Sequence, residues 1–253
     1  MPRARPAIRR LNWLLDAAVA FFYPDWCQIC RAEPSNAREG YVGRTCRSRP
    51  DGVRFVEPPW CGRCGLPYEG AIDHAFVCGN CARQVWHISH ARAAVVATPL
   101  ILDVIHRYKY HRAMWFEPFL ADLLIQRAAP NLALESWHGL VPVPLHPSRQ
   151  REREFNQAER LARRLSTATG IPLNTRLVQR VEPTRTQTML SRNRRAENVR
   201  RAFALAGGRV PKGSRFVLVD DVLTTGATTN ACALVLRRAG AAEICVWTVA
   251  RGV

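Results

Sequence analysis

The sequence predicts an α/β protein in which a small cysteine-rich module precedes a domain built on a parallel sheet. Two observations predict it. Seven of the nine cysteines fall between Cys27 and Cys81, and beyond Ala91 short apolar runs alternate with segments of helical periodicity. Such alternation is typical of a parallel sheet covered on both faces. With 253 residues, the chain has room for both units.

Composition excludes several classes of protein and points to an anionic partner. The chain is 47% hydrophobic and 23% charged, which excludes extended disorder and a fibrous repeat. Its 37 basic and 20 acidic residues give a net charge of +17, and only Lys109 and Lys212 are lysines. This charge suits a phosphate ester, a nucleic acid or an acidic lipid. A genome biased toward GC-rich codons encodes arginine wherever any surface cation is sufficient, so codon bias would produce the same excess of arginine.

The N-terminal segment has an apolar run at residues 14–23. The run is about half as long as a bilayer span, contains Asp16 and has no small-residue cleavage site behind it. We therefore expect no membrane span and no signal peptide, and a cytoplasmic protein. Residues 1–26 are expected to contribute a helix (7–22), residues 27–90 the cysteine-rich module and residues 91–253 the α/β domain.

Two Cys-x-x-Cys pairs predict a zinc site. The pairs Cys61/Cys64 and Cys78/Cys81 are separated by 13 residues, a spacing typical of a tetrahedral four-thiolate zinc ribbon. A glycine after the first cysteine of each pair lets backbone amides approach the sulfurs. Disulfides would need an exported chain, so metal ligation is the favoured interpretation.

Apolar patterns after residue 91 predict four strands and four helices. The strands are expected within residues 93–97, 140–144, 216–219 and 244–249. The helices are expected from Pro99, over 116–129, over 155–165 with an end at Gly170, and over 228–239 with an end at Gly240. Cys232 and Cys245 fall inside these elements and are expected to be buried apolar residues.

Residues 217–229 are the most informative segment. A hydrophobic strand carries Asp220 and Asp221 to its C-terminal end, where ligands of open α/β sheets bind. A Thr/Gly loop then leads into a helix, whose first amides and threonine hydroxyls suit a phosphate monoester. The carboxylates suit the vicinal hydroxyls of a ribose, or Mg²⁺ carried by a pyrophosphate. Together these features describe phosphoribosyl pyrophosphate. The alternative, an ordinary strand–turn–helix with capping Asp and Thr, explains the run less well.

This segment resembles the phosphoribosyl-pyrophosphate signature of type I phosphoribosyltransferases. In that family the two acids hold the ribose hydroxyls and the next loop holds the 5′-phosphate. The resemblance implies a phosphoribosyltransferase-like sheet and assigns Asp220 and Asp221 to the ribose as catalytic-site residues. The loop residues that it assigns to the phosphate are Thr224, Thr225, Gly226, Ala227 and Thr228.

Other segments are similar to the ComF family, the competence-protein-F-like phosphoribosyltransferases. They are Ile-His-Arg-Tyr-Lys-Tyr at 105–110, Val-Pro-Val-Pro-Leu-His-Pro at 141–147, Phe-Asn-Gln at 155–157 and the stretch 186–203. With the cysteines, the resemblance covers nearly the whole chain. The family usually has glycine where Glu154 stands, which argues against a tight backbone turn there.

Two basic positions complete the candidate ligand-binding set. Lys109 is one of only two lysines, so either the site needs a compact ammonium there or the choice is chance. Arg149, Arg151 and Arg153 alternate with polar residues in what we expect to be an extended loop. Such a loop either closes over a trianionic ligand or is a solvated surface. In the first case, Arg149 is the residue expected to bind the ligand.

The resemblance also implies a second zinc ribbon with a further pair of cysteines. Cys27 and Cys30 form one pair and Cys46 begins the next, but Arg49 stands where its partner is expected. Arginine does not ligate zinc at neutral pH. This site therefore has three thiolates and lacks a fourth ligand unless Asp51 or another group substitutes, so we expect about one zinc per chain.

Three functions are compatible with these features. The first is transfer of a phosphoribosyl group, or release of pyrophosphate from the donor, with Mg²⁺. The second, implied by the family's association with DNA uptake, is handling of single-stranded DNA alongside the uptake machinery, with a vestigial or sensing donor site. Residues 183–201 carry six arginines against Glu197 but lack the aromatic residues of a stacking platform. The third is a regulator for which phosphoribosyl pyrophosphate is only an effector.

Overall fold

A computed structural model describes residues 25–70, 72, 74–182, 202–207 and 210–253. The predicted helix at 7–22 and the basic segment 183–201 lie outside these residues. Within the part of the chain that the structure describes, no helix combines the length and apolarity needed to cross a membrane.

Six strands form two sheets among the residues that the structure describes. They are β1 (His90–Val96), β2 (Gly139–Pro142), β3 (Val178–Arg180), β4 (Phe203–Leu205), β5 (Arg215–Leu223) and β6 (Glu243–Arg251). The main sheet has the order β1-β6-β5-β2 and all three of its pairings are parallel. β3 and β4 form a separate antiparallel pair. The predicted parallel α/β architecture is confirmed.

Seven α-helices accompany the strands among the described residues. They are α1 (Arg44–Ser48), α2 (Gly79–Ala82), α3 (Pro99–Tyr110), α4 (Glu117–Leu132), α5 (Pro147–Arg153), α6 (Gln157–Thr169) and α7 (Ala227–Arg238). Thr98 caps α3 at its N-terminus, and Gly170, with φ of 74°, ends α6 as expected. The four helices predicted in the α/β domain are all present.

Each face of the main sheet packs on its own hydrophobic core. Val217 and Val219 of β5 join the core that contains side chains of α3, α4 and α6. Phe216 and Leu218 of the same strand join the other core, with side chains of α7, β3 and β4. Successive strand residues point to opposite faces, so the two acids that follow are directed to opposite sides of the sheet. Cys232 and Cys245 are fully buried, as predicted.

The arginine-rich segment after β2 is helical, and the expectation of an extended loop there is wrong. Pro147 stands at the start of α5, where a proline is favoured because the first residues of a helix need no partner for the backbone nitrogen. The His146 side chain caps the helix by accepting the Ser148 N–H. A tight turn does follow at Glu154, with φ of 67°. The Glu154 N–H bonds to Gln150 O at 2.7 Å, and its carboxylate pairs with Arg112 at 2.8 Å. These contacts offset the cost of about 1–2 kcal/mol for a left-handed residue other than glycine.

Candidate ligand-binding site and metal sites

The loop between β5 and α7 turns at Gly226. This residue has φ of 76°, which favours glycine, and a Cβ added to it would lie 2.6 Å from Cη2 of the Trp86 ring. Any side chain would therefore push the loop away from the tryptophan. Trp86 also packs against Cys61, Cys64 and Cys81, so the cysteine-rich part of the chain shapes this loop directly.

Four of the five predicted phosphate-binding residues are at least partly exposed at the start of α7, and the fifth, Gly226, is buried. Thr224 and Thr225 are exposed, and Ala227 and Thr228 are half-buried. The Thr225 hydroxyl accepts the Ala227 N–H at 3.4 Å. Because the first-turn amides of a helix have no partner within the helix, the start of α7 offers N–H donors to an anion.

The two acidic residues have different surroundings. Asp221 is buried, forms an ion pair with the Lys109 ammonium, and accepts a hydrogen bond from Gln157 Nε2 at 3.2 Å. Asp220 is half-buried and its Oδ1 accepts the backbone N–H of Asp221 at 2.9 Å. Among the described residues, the sheet therefore presents one carboxylate in a direct ion pair and a second that accepts a backbone N–H and forms no direct ion pair.

This difference separates the two pKa values. Burial and the adjacent Asp221 charge raise the pKa of Asp220 well above its ordinary value. Burial alone would also raise the pKa of Asp221, but the charge and hydrogen bond of Lys109 lower it below the ordinary value. Asp221 is thus the stable anion of the pair, and Asp220 is the carboxylate whose burial and like-charged neighbour outweigh the attraction of Lys109.

Gln157 and Arg153 are site residues whose contacts the sequence did not predict. Gln157 donates to Asp221, while its Oε1 accepts from Arg153 Nη1 at 3.2 Å. Both side chains are buried. The neighbouring Asn156 bonds through Nδ2 to Val143 O at 3.1 Å and so ties the start of α6 to the end of β2. The Phe-Asn-Gln run was visible in the sequence as a family feature, but nothing in it indicated these partners.

Arg149 does not join the Lys109–Asp221–Gln157 network. It is half-buried on α5, and both its charge and that of Asp220 act on the guanidinium of Arg180. Arg180, on β3, lies over the Phe203 ring at 5.4 Å. The structure therefore places Lys109 beside Asp221 on one face of the sheet, and Arg149 and Arg180 near Asp220 on the other. No sequence feature indicated Arg180.

Cys61, Cys64, Cys78 and Cys81, here called the second cluster, can hold a metal ion. All four sulfurs lie within 4.8 Å of one another, and Cys64 Sγ is 3.7 Å from Cys78 Sγ. A tetrahedral zinc with bonds of 2.3 Å requires sulfurs about 3.8 Å apart. Burial alone would raise the pKa of Cys61, but backbone N–H donors lower it to about 7, which favours the thiolate that binds metal.

Arg251 joins the second cluster to the phosphate loop. Its buried guanidinium donates through Nε to Cys64 O at 3.0 Å and through Nη2 to Cys64 Sγ at 3.3 Å. Through Nη1 it also donates to the carbonyls of Leu223 and Thr224, both at 2.9 Å. One side chain thus fixes a metal-site cysteine relative to the start of the loop.

Cys27, Cys30 and Cys46 come together with Glu33, and these four residues are here called the first cluster. Their ligand atoms also lie within 4.8 Å of one another. Arg49 is not part of it, and the guanidinium pairs with Asp51 at 3.2 Å. The expectation that Asp51 could substitute as fourth ligand is therefore not supported. The group that fills the place is Glu33, which the sequence analysis did not single out.

Comparison with known proteins identifies the family. The family model for the phosphoribosyl transferase domain matches residues 155–252, which include the acids and the loop. Competence protein F of Haemophilus influenzae is 37% identical over 203 residues, covering 76% of this chain and 85% of that protein. The chain belongs to the ComF family.

Other relatives agree with this assignment. The DNA utilization protein YhgH of Escherichia coli K12 is 31% identical to this ComF-family chain over 236 residues, covering 90% of the chain and 97% of the relative. Competence protein ComFC of Streptococcus pneumoniae is 29% identical and covers 69% and 74%. A purine phosphoribosyltransferase structure from Pyrococcus horikoshii aligns with a TM-score of 0.36 at 19% identity, covering 53% of this chain and 83% of that one. That similarity adds nothing to the family assignment.

Proposed function

We propose that this ComF-family protein binds phosphoribosyl pyrophosphate with Mg²⁺ at the carboxyl end of β5. The observation that carries the proposal is the meeting of Asp220 and Asp221 with the loop at 224–228, where α7 begins. The acids suit the ribose hydroxyls, and the loop amides and hydroxyls suit the 5′-phosphate. Lys109 and Arg149, which lie on opposite sides of the strand end, are the proposed partners of the diphosphate.

The proposed reaction breaks the bond between the anomeric carbon and the diphosphate oxygen. Pyrophosphate leaves with the bonding electrons, and the electron pair of an acceptor forms the new bond. When the acceptor is water, the step is hydrolysis of the donor and no phosphoribosyl group is transferred to another molecule. Such a step needs positioning and charge stabilisation more than proton transfer. Bound Mg²⁺ would supply charge neutralisation for the diphosphate. The chain's own contribution is to hold the ribose through the acids and to offer cations to the departing group.

Calorimetry with phosphoribosyl pyrophosphate and Mg²⁺ tests this proposal. We expect saturable binding by the wild type and none by the Asp220→Asn/Asp221→Asn variant, because the ribose ligands are lost. Zinc content and the circular dichroism spectrum of the variant check that it is folded. Absence of binding by folded, zinc-loaded wild type would contradict the proposal. Binding without turnover against any base, amine or water would favour the effector function.

We also propose that the second cluster binds structural Zn²⁺. Its four buried or half-buried thiols, their separations and the bond from Cys78 N to Cys61 Sγ at 3.3 Å all fit a zinc ribbon. The ion would replace a large apolar core in this module, whose described interior contains little besides the cysteines, Leu66, Phe76 and Trp86. Elemental analysis of purified protein measures it directly.

A role in handling single-stranded DNA is the second candidate. It is supported by the net charge of +17 and by relatives named for competence and DNA utilization. Replacing Arg192, Arg194 and Arg195, which lie outside the described residues, with glutamine tests it. We expect the slope of log affinity against log salt to become shallower by roughly two, because three phosphate contacts are lost and about 0.7 counterions are released per contact. An affinity that does not depend on salt would contradict this function.

A further inference from the structure

The two cysteine clusters share one backbone framework. In each, the carbonyl of the first cysteine accepts a bond from the residue four positions later, and its N–H donates to a residue farther along. The four bonds are Arg31 N to Cys27 O, Gly65 N to Cys61 O, Cys27 N to Glu33 O and Cys61 N to Leu66 O, each 2.9 Å. In both turns the fourth residue after the first cysteine has a left-handed backbone conformation, with φ of 58° at Arg31 and 63° at Gly65. The two Cys-x-x-Cys turns can therefore be compared position by position, whereas the acceptor of the cysteine N–H lies six residues along in the first cluster and five in the second.

That comparison pairs Gly43 with Cys78. The N–H of Gly43 donates to Cys27 Sγ at 3.1 Å, and the N–H of Cys78 donates to Cys61 Sγ at 3.3 Å. Each residue is also the N-cap of a short helix, α1 or α2. The third residue after each is a buried cysteine, Cys46 or Cys81. The first cluster thus lacks a cysteine at position 43, and not at position 49 as the sequence spacing had indicated.

The Glu33 carboxyl group fills the space that a side chain at position 43 would take. A Cβ added to Gly43 would lie 2.2 Å from Glu33 Cδ and 2.3 Å from its Oε1. Gly43 has φ of −69° and ψ of 160°, so its backbone does not require glycine. What excludes a side chain is the occupied space. The backbone N–H groups of Thr45 and Cys46 hold the carboxylate there, at 2.9 and 3.1 Å.

The ligand atoms of the first cluster have the separations of a tetrahedral site. Cys27 Sγ lies 3.7 Å from Cys46 Sγ, and Cys30 Sγ lies 3.7 Å from Glu33 Oε1. The corresponding pair in the second cluster is also 3.7 Å apart. A carboxylate oxygen bonds zinc at about 2.0–2.2 Å and carries the same formal charge as a thiolate. The two amide bonds leave further lone pairs on the carboxylate free for a metal.

We propose that Glu33 is the fourth ligand of a second zinc site, taking the place of a cysteine at position 43. The chain then binds about two zinc ions, one through four thiolates and one through three thiolates and a carboxylate. This replaces the expectation of about one zinc that rested on Arg49. Because a carboxylate is a harder ligand than a thiolate, the first cluster releases zinc more readily than the second.

The test moves the fourth ligand between the two positions. Zinc per chain is measured by elemental analysis for the wild type, Glu33→Gln, and the double variant Glu33→Ala/Gly43→Cys. We expect about two, about one and about two ions respectively. Glu33→Gln keeps a side chain of the same size and an acceptor oxygen for one of the two amides, so a folding defect from lost space is avoided. The double variant removes the side chain that would clash and restores a cysteine where the framework places it.

Cobalt substitution gives a second measurement that does not depend on stability. The thiolate-to-cobalt absorption of the double variant should exceed that of wild type by about one-seventh, since eight thiolates replace seven. A wild type that holds about one zinc while folded would overturn the proposal. The proposal would also be overturned if Glu33→Gln kept about two zinc ions and released them to a chelator at the wild-type rate. A double variant that does not regain the second zinc ion would overturn it as well.

Discussion

Asp220→Asn is expected to stabilise the ligand-free protein, whereas Asp221→Asn is expected to destabilise it. Burial and the Asp221 charge disfavour the Asp220 anion, which forms no direct ion pair with a described residue, and asparagine keeps the oxygen that accepts the Asp221 N–H. Asp221 pairs with Lys109 in a largely buried setting, with side chains 4% and 19% exposed. Removing one partner of such a pair costs about 3 kcal/mol, or roughly 6–12 °C in the unfolding midpoint of a chain this long. Thermal unfolding of the two variants beside wild type measures both shifts.

The two shifts should depend on pH in different ranges. The raised pKa of Asp220 costs stability, and this cost develops as the pH rises from the ordinary aspartate pKa toward the raised value. The benefit of Asp220→Asn is therefore absent in acid and grows as the pH rises. The lowered pKa of Asp221 contributes stability above the ordinary pKa that is lost as the pH falls through the lowered one. The penalty of Asp221→Asn should therefore shrink in acid.

Lys109→Met is the matched control for this prediction. It leaves the Asp221 carboxylate without its cation, so it should destabilise the protein as Asp221→Asn does. The double variant Lys109→Met/Asp221→Asn should lose less stability than the two single variants lose together. Equal midpoints for the Asp220 and Asp221 single variants at neutral pH would refute the assignment of the two roles.

Loss of metal from the second cluster should lower the affinity for phosphoribosyl pyrophosphate. Cys64 is bonded to Arg251, whose guanidinium holds the carbonyls of Leu223 and Thr224. Trp86 supports Gly226 from the same module. In Cys81→Ser we expect about one zinc fewer per chain and roughly tenfold weaker binding, corresponding to about 1.4 kcal/mol of coupling. Elemental analysis and calorimetry on the same preparation measure both.

Glu33→Gln provides the comparison for the Cys81→Ser variant. Its cluster contacts the domain elsewhere, for example where Arg47 lies over the Phe119 ring of α4 at 4.9 Å. We therefore expect its affinity for phosphoribosyl pyrophosphate to change much less than that of Cys81→Ser. Equal losses in the two variants would mean that module stability in general, and not the Arg251 connection, controls the loop.

Much of the fold could be predicted because its signals are local. The apolar strand before Asp220 and the capping Gly170 specify their elements through short-range geometry, and both appear where expected. The helix at α5 was missed because alternating Arg and polar residues give no apolar periodicity. The local features at the start of that helix are Pro147 at the first helical position and the His146 side chain, which accepts the Ser148 N–H.

The missed site residues share a different reason. Arg180 and Arg251 become relevant only through contacts with residues far away in the sequence, such as Arg251 with Cys64. Glu33 belongs to a cluster because Gly43 leaves room for it, and a glycine in a sequence does not say what fills its space. Ligand spacing predicts a metal site when all ligands follow the motif, and it fails where another part of the chain supplies one.

The Lys109–Asp221 pair has a consequence for the order in which ligands arrive. Without a ligand, the end of β5 already carries its own counter-ion. A free divalent cation would have to displace an ammonium that then has no anion of its own. A cation delivered on a diphosphate brings the replacement anion for Lys109 with it, so exchange leaves every charge paired. Under the proposed function, the Lys109–Asp221 pair therefore favours uptake of metal and diphosphate as a single unit.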